Sequence, residues 1–498
     1  MSYQMVVGLE VHVQLKTQTK LFCGCSTQFG APPNSQVCPV CLGLPGALPV
    51  INQEAIRLAI RTGLALGSRI PEETHWDRKN YFYPDLPKGY QTSQFDQPIC
   101  QGGELTIGGG ADGEGAGCFT VRLVRAHLEE DAGKSLHDER TGTGDTRIDL
   151  NRAGTPLLEI VTEPDLRSAQ QAKEFLEELR LLLTFLDVSD CNMQEGSLRA
   201  DANVNLHLEG LQGVVATPIT EIKNLNSFRA VERAIHYEAE RQWQQWQRDG
   251  RLLGEVPKQT RGWDDEAGVT TLQREKEEAA DYRYFPCPDL MPVRLTFEVM
   301  ERQRREIGES PEGKRRRYIG ELGIKPYDAQ VIVAQGRGVC DYFDRMVQLG
   351  APARRASAWM QQDVLRYLKE QRVAIDQFPV DAERLALLLG AIESGKIDTT
   401  RGREIFQLLQ KSASLTVEEA IGQLGLEAVD QVTLESLCQQ LLADNPEVVA
   451  KVRQGNAKAL GSLVGQARKA NPNADPRQVQ ELCLRLIERS AGGSSSSE

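Results

Sequence analysis

The period of the hydrophobic pattern changes once along this 498-residue chain, and that change limits the folds open to it. Up to about Pro292, short alternating segments lie between clusters of Gly, Pro, Asn and Asp. Val11, Val13 and Leu15 alternate with Glu10, His12 and Gln14. Ala202, Val204, Leu206 and Leu208 alternate with Asp201, Asn203, Asn205 and His207. A period of two sends successive side chains to opposite faces, so these segments read as half-buried strands. Two helical patterns interrupt them. Ser168 to Leu186 gathers Phe175, Leu176, Leu179, Leu182 and Leu183 on one face, and a second pattern runs from about Ser227 to Arg248. The group Asn224-Leu225-Asn226-Ser227 supplies an N-cap for the second. After about Val293 the alternation ends, and helix-period segments follow one another to Arg489. The expectation is an α+β chain: a β-rich part over 1–293, an all-α part over 294–400, a second all-α part over 401–490, and a disordered tail over 491–498. No repeat of fixed period appears, which argues against a solenoid.

Composition narrows the class. Charged residues make up 26% and apolar residues 40%, values of an ordinary globular protein rather than a disordered or collagen-like one. The net charge of −12 excludes a generally basic nucleic-acid coat but not a local basic patch. No uninterrupted apolar run is long enough to span a membrane. Met1-Ser2-Tyr3-Gln4-Met5 has no basic segment followed by an apolar one, so no signal peptide is expected. There are 11 cysteines, of which only four cluster; this suits a reducing compartment and one metal site. The expected location is the cytoplasm, or an organelle stroma or matrix.

Four groups of residues could carry chemistry. Cys23-Gly24-Cys25 and Cys38-Pro39-Val40-Cys41 offer two thiolate pairs that can close a tetrahedral zinc site. With all four positions filled by sulfur, such a site is structural. The alternative is four free or redox-active thiols. The second group is acidic. Alternation puts Glu10 and His12 on one face, Glu129, Glu130 and Asp131 stand in a row, and Glu159 sits alone within Leu157-Leu158-Glu159-Ile160-Val161. A lone carboxylate in an apolar run costs several kcal/mol to bury unpaired, so Glu159 calls for a cation or a metal. Carboxylates and an imidazole together suit a divalent ion that keeps open positions for phosphate oxygens. Pairing of these acids with Arg122, Arg125, Arg147 or Arg152 is the open alternative.

Gly133-Lys134-Ser135 is not a P-loop, because the position that needs a glycine is Leu128, and the glycine-rich stretch 102–117 reads as a flexible hairpin. The third group mixes aromatic and basic residues: Asp77 to Asp85, leading to Lys88-Gly89-Tyr90-Gln91, and Asp281 to Pro286. Such segments stack bases or serve as core aromatics with solvated flanks. The fourth is a basic end: Lys451, Arg453, Lys458, Arg468, Lys469, Arg477, Arg485 and Arg489 stand against Asp475, Glu481 and Glu488. This is either a nucleic-acid footprint or a solvated helix face.

Several segments together resemble a known family. They are Gly8-Leu9-Glu10-Val11-His12-Val13-Gln14-Leu15, Asp77-Arg78-Lys79-Asn80-Tyr81-Phe82-Tyr83-Pro84-Asp85, His127-Leu128-Glu129-Glu130-Asp131-Ala132-Gly133-Lys134, Glu221-Ile222-Lys223-Asn224-Leu225-Asn226-Ser227 and Asp281-Tyr282-Arg283-Tyr284-Phe285-Pro286. They resemble the B subunits of the aspartyl/glutamyl-tRNA(Asn/Gln) amidotransferases, over essentially the whole chain. Gly455 to Gln466 resembles that family's terminal tRNA-binding helical domain. The resemblance implies a β-rich cradle followed by a helical domain and a tail domain. It implies phosphorylation by ATP of the side-chain carboxylate of Glu-tRNA(Gln) or Asp-tRNA(Asn), then displacement by ammonia. The ammonia would come from a separate glutaminase subunit, and a small third subunit would complete a heterotrimer. The metal ligands carried over are His12, Glu130 and Glu159 for magnesium, with Glu10 adjacent. Lys79 joins them as a catalytic candidate, and Lys79, Lys88 and Glu10 resemble the lining of the ammonia channel's mouth. Glu129, Asp131, Asp201, Lys223 and Lys88 are carried over as groups near ATP, and Cys23, Cys25, Cys38 and Cys41 as structural zinc ligands. A non-catalytic, zinc-stabilised tRNA-binding scaffold is the competing expectation.

Overall fold

The fold is described from a computed structural model. It describes residues 3–108, 118–137, 145–210, 213–276, 282–424, 431–454, 456, 459–471, 474 and 476–492. The chain forms two compact units, Met1–Arg317 and Tyr318–Glu498. The first is built on one large, mainly antiparallel sheet and the second is helical, so the chain is α+β.

Ten strands make the main path of the sheet. In chain order they are β1 (Tyr3–Gln14), β2 (Asp77–Asn80), β3 (Tyr90–Ser93), β4 (Phe119–Glu130), β5 (Pro156–Thr162), β6 (Leu198–Gly210), β7 (Thr220–Leu225), β8 (Lys258–Asp264), β9 (Val269–Lys276) and β10 (Phe285–Pro286). Across the sheet the order is β9-β8-β7-β6-β1-β5-β4-β3-β2-β10. The first strand in sequence is therefore central, flanked by β5 and β6. His12 lies opposite Glu159 on one side and Arg199 on the other, and Glu159 lies opposite His127 of β4.

That register divides the sheet into two unlike faces. Val7, Leu9, Val11 and Val13 of β1 share a face with Ala126 and Leu128, Leu158 and Ile160, and Ala200, Ala202 and Val204, all of them in the buried core. Three helices lie on this apolar side. α1 (Gln53–Ala65) is capped by the Asn52 side chain, and α2 (Ala169–Phe185) and α3 (Phe228–Asp249) by the hydroxyls of Ser168 and Ser227. Phe175, Leu176, Leu179, Leu183, Val231 and Ile235 are fully buried against the strands, each worth about 1.5–3 kcal/mol by removal from water. The helices cover one face only, so the chemistry-bearing residues of the strands collect on the other.

The change of period near residue 293 precedes the change of unit at Arg317. A fourth helix, α4 (Phe297–Ile307), continues the helical pattern yet packs on α1, with Arg61 bonded to Gln303 at 3.2 Å and to Glu306 at 2.5 Å. Residue 400 lies inside a helix, Thr399–Lys411, that packs on the helices Ala382–Glu393 and Val417–Gln423. A separate apolar cluster joins residues from Leu434 to Ile487, including Cys438, Leu463, Val479 and Cys483. Pro326–Val333 and Arg337–Gln348 are separate helices, split at Gly336 with its φ of 95°. In the glycine-rich hairpin, Glu104–Ile107 pairs with Phe119–Arg122, while the expected flexible turn and the end of the expected disordered tail lie outside the described residues. No helix among the described residues is long and apolar enough to cross a membrane.

Candidate active site

The polar face of the sheet gathers acids from four neighbouring strands. From the central strand come Glu10 and His12, from β5 Glu159, from β4 His127 and Glu129, and from β6 Asp201. The His12 Nε2 is 3.3 Å from Glu159 Oε2 and 4.0 Å from Glu10 Oε1. The His127 Nε2 is 3.7 Å from the same Glu159 oxygen and 3.9 Å from Glu129 Oε2. Glu159 thus links two sets of three groups, Glu10/His12/Glu159 and His127/Glu129/Glu159, and in each set the ligand atoms lie within 4.8 Å of one another.

Crowding of buried acids sets the protonation of this face. Burial pushes Glu129 up to about 7, and the nearby Glu159 charge pushes the same way against Lys79 and His12. Burial likewise raises Glu10, joined by Glu159 and Asp201. Burial also opposes charge on His12, but its hydrogen bond to Glu159 and that residue's charge win and lift it to about 9. Glu159 is held well below the usual carboxylate range despite burial, by His127, His12 and Lys79. His127 goes the other way: burial lowers it to about 4 even beside Glu159. Its Nδ1 is buried without a hydrogen-bond partner among the described residues.

The flanks of the face carry cations. The Lys223 ammonium bonds the Asp201 carboxylate and sits 3.3 Å from Glu221, which accepts from Thr260 at 2.8 Å. Asp131, at the end of β4, accepts from Arg199 at 2.7 Å and Gln14 at 2.9 Å, with Arg152 Nε at 3.5 Å; despite its burial, the two arginines hold it below its ordinary value. Lys79 of β2 makes no ion pair within 4.0 Å among the described residues, and its Nζ lies 5.1 Å from the centre of the Tyr282 ring. Burial works against its charge, yet Glu129 and Glu159 raise it above the usual lysine value. A half-buried ammonium held beside acids but bonded to none is free to take a phosphate oxygen.

Glu130 does not join this set. Adjacent residues of a strand point to opposite faces, so Glu129 takes the polar face and Glu130 passes to the other side of the sheet. There it accepts from the Lys88 ammonium and from the backbone N–H of Thr92 at 3.1 Å. The expected trio of His12, Glu130 and Glu159 is therefore not brought together, and Glu129 stands where Glu130 was expected. Lys88 likewise belongs with Glu130 rather than with Lys79 and Glu10.

The four cysteines do meet. Cys23, Cys25, Cys38 and Cys41 have their sulfurs within 4.8 Å of one another, and Cys38 and Cys41 are 4.0 Å apart. A tetrahedron with Zn–S bonds of about 2.3 Å spaces its sulfurs by about 3.8 Å, so the donor set fits zinc. The Cys38 N–H donates to the Cys41 sulfur at 3.2 Å.

Residues 5–301 match the family described as the GatB/GatE catalytic domain, and residues 341–487 match one described as the GatB domain. The chain belongs to the GatB/GatE family. A protein of Rhodopirellula baltica, named as the B subunit of an aspartyl/glutamyl-tRNA(Asn/Gln) amidotransferase, is 60% identical over 483 residues, spanning 97% of this chain and 96% of that one. Proteins with the same name from Chlorobium limicola and Moorella thermoacetica are 47% and 46% identical, each over 484 residues, spanning 97% of this chain and 98% and 99% of theirs. The sheet, and with it the whole polar face, lies within the GatB/GatE match. Of the residues singled out in the sequence, Glu10, His12, Glu129, Glu159, Asp201, Lys223, Asp131 and Lys79 lie on this face. His127 and Arg199 were missed. His127 has the parity of Glu129 and was visible in the same segment, whereas Arg199 is tied to the site only by its pairing opposite His12. Of the arginines named as alternative partners, Arg122 bonds Asp165 instead, and Arg152 reaches only Asp131.

Proposed function

We propose that the polar face is the ATP-dependent amidating centre of an aspartyl/glutamyl-tRNA(Asn/Gln) amidotransferase, in which this chain is the B subunit. The observation that carries the reading is the meeting at Glu159 of two sets of ligand groups, Glu10/His12/Glu159 and His127/Glu129/Glu159, from three adjacent strands, beside the Lys79 ammonium, which makes no ion pair among the described residues. A surplus of acids whose ionisation burial and neighbouring carboxylates oppose is the donor set a divalent cation relieves. His12, Glu129 and Glu159 would hold magnesium, with Glu10 completing the set. When bound, the ion would neutralise phosphate oxygens and polarise the substrate carboxylate.

The chain's own residues supply position and charge. A free carboxylate resists ammonia because its leaving group would be oxide. Transfer of the γ-phosphoryl group of ATP makes an acyl phosphate, and ammonia then displaces phosphate to give the amide. Lys79 would stabilise the transferring phosphoryl charge, with Lys223 and Arg199 holding Asp201 and Asp131 at the rim. Ammonia must arrive unprotonated to attack. On this reading it comes from a glutaminase partner, and a small third chain completes the complex. The Lys88–Glu130 pair across the sheet fits the polar lining of its entry. The basic helices after Lys451 would hold the body of tRNA through its phosphates, and zinc would tie the four-cysteine loops. The setting would be cytoplasmic.

The test is phosphoryl transfer from ATP in the reconstituted complex with mischarged tRNA and magnesium. Glu159→Gln and His12→Ala should abolish transfer and leave tRNA affinity unchanged. Full transfer in both variants would overturn the assignment of the metal to His12 and Glu159, and absence of magnesium-dependent transfer in the unaltered complex would leave a zinc-stabilised tRNA-binding scaffold.

A further inference from the structure

We propose that Lys20 is a built-in positioning residue of the four-cysteine site, tying its two cysteine pairs together and placing the cation that its sulfurs would face with zinc bound. The side chain of Lys20 is completely buried. Its ammonium donates to the Gln36 carbonyl at 2.7 Å, the Leu150 carbonyl at 3.4 Å and the Cys41 sulfur at 3.6 Å. Three protons therefore meet three acceptors, of which only the sulfur can carry a negative charge. No carboxylate lies within ion-pair distance of Lys20 among the described residues. A buried ammonium without a counter-charge costs several kcal/mol, and of its three partners the Cys41 sulfur is the one that a bound metal ion would hold as an anion.

The need runs both ways. Four thiolates on one divalent zinc would leave the centre doubly anionic, and at Cys41, the buried member of the four, a cation beside the sulfur would offset that charge. The fold places that cation from both sides. The Lys20 N–H donates to the Cys25 carbonyl at 2.9 Å, which ties its backbone to the first cysteine pair. Its ammonium reaches the second pair through Cys41. Gly154, at φ 84°, lets the chain after Asn151 pass close by: a Cβ there would lie 3.5 Å from Cys41 Cβ and 3.6 Å from Lys20 Cδ. Lys20 is thus a positioning residue for a metal site outside the amidating face.

The inference rests on the zinc reading and not on the amidating reading, and its test measures metal affinity alone. Zinc retained by the full chain is titrated against a chromophoric chelator, and cobalt substitution reports the ligand set by its sulfur-to-metal charge-transfer bands. Lys20→Met keeps the length and removes the charge. Zinc affinity should fall by about 10- to 100-fold, with the four-sulfur cobalt bands still present once loaded. Cys25→His, which exchanges a thiolate for a neutral imidazole, should cost less affinity in Lys20→Met than in the wild-type chain. Lys20→Gln provides a second neutral variant, and Lys20→Arg should restore part of the loss. Unchanged zinc affinity in the neutral variants, or strictly additive losses with Cys25→His, would overturn the proposal.

Discussion

Substitution of Glu129 and of Glu130 by glutamine should move stability in opposite directions, although the residues are neighbours. Glu129 is raised from 4.5 to about 7 by burial and by Glu159. At about 1.36 kcal/mol per unit, ionising it in the metal-free chain costs about 3 kcal/mol. The sign follows from proton counting. Between pH 4.5 and 7 the unfolded chain has lost this proton and the folded chain keeps it, so stability falls as pH rises through that window and is level above it. Glu129→Gln removes the penalty. In magnesium-free buffer at pH 7.5 the variant should be the more stable by up to about 3 kcal/mol, with the fall between pH 4.5 and 7 flattened. Glu130→Gln breaks the pair with the Lys88 ammonium, whose side chain is only 12% exposed, and should cost about 3 kcal/mol. Activity should follow another order: Glu129→Gln should lower phosphoryl transfer by at least about 100-fold, the usual scale for losing an electrostatic contact to the transition state. Urea unfolding across pH with the steady-state rate of each variant decides the matter. If Glu129→Gln is the less stable of the two in magnesium-free buffer, the crowded-acid reasoning is wrong.

Three further outcomes are expected. Glu238 is buried, and despite that burial its hydrogen bond to Arg241 and that residue's charge, with bonds from Gln242 and Thr270, hold it below its ordinary value. Its stabilisation is full above pH 4.5 and lost as pH falls through its lower folded value, so Glu238→Gln should flatten the acid limb of an unfolding profile. Gly43 has φ 69°, and a Cβ there would lie 2.7 Å from Lys88 Cγ. Gly43→Ala should cost about 1–3 kcal/mol in urea unfolding and leave divalent-ion binding to the polar face intact. Stripping zinc with a strong chelator should lower the thermal midpoint of the first unit, with readdition of zinc restoring it.

The sequence showed the strands that bear the site more clearly than it showed which acids share it. Alternation in Glu10-Val11-His12-Val13 and around Asp201 is regular, because one face of each strand packs in the core and the other does not. Within Glu129-Glu130-Asp131 no alternation exists, so choosing between neighbours needed the parity of His127 and the register of β4 against β5. Arg199 came to the site through pairing with β1, a contact between distant segments that local pattern does not encode. The same limit applied to the helices. In the helix Pro311–Gly320 the Lys314-Arg315-Arg316-Arg317 run masks the apolar period, and the arginine charges are taken up by Glu178, Glu312 and Glu309. α4 was read as helical, but only its packing on α1 assigns it to the first unit. The four cysteines were legible from spacing alone, since two short turns that each offer two thiolates require little of the remaining fold.

Binding of manganese, as a spectroscopic stand-in for magnesium, tests the central claim most directly. Electron paramagnetic resonance titration of the zinc-loaded chain should show one tight site. That site should be lost or strongly weakened in His12→Ala, Glu129→Gln and Glu159→Gln, and kept in Glu130→Gln. A site that survives Glu129→Gln and disappears in Glu130→Gln would place the metal on the other side of the sheet and contradict the account.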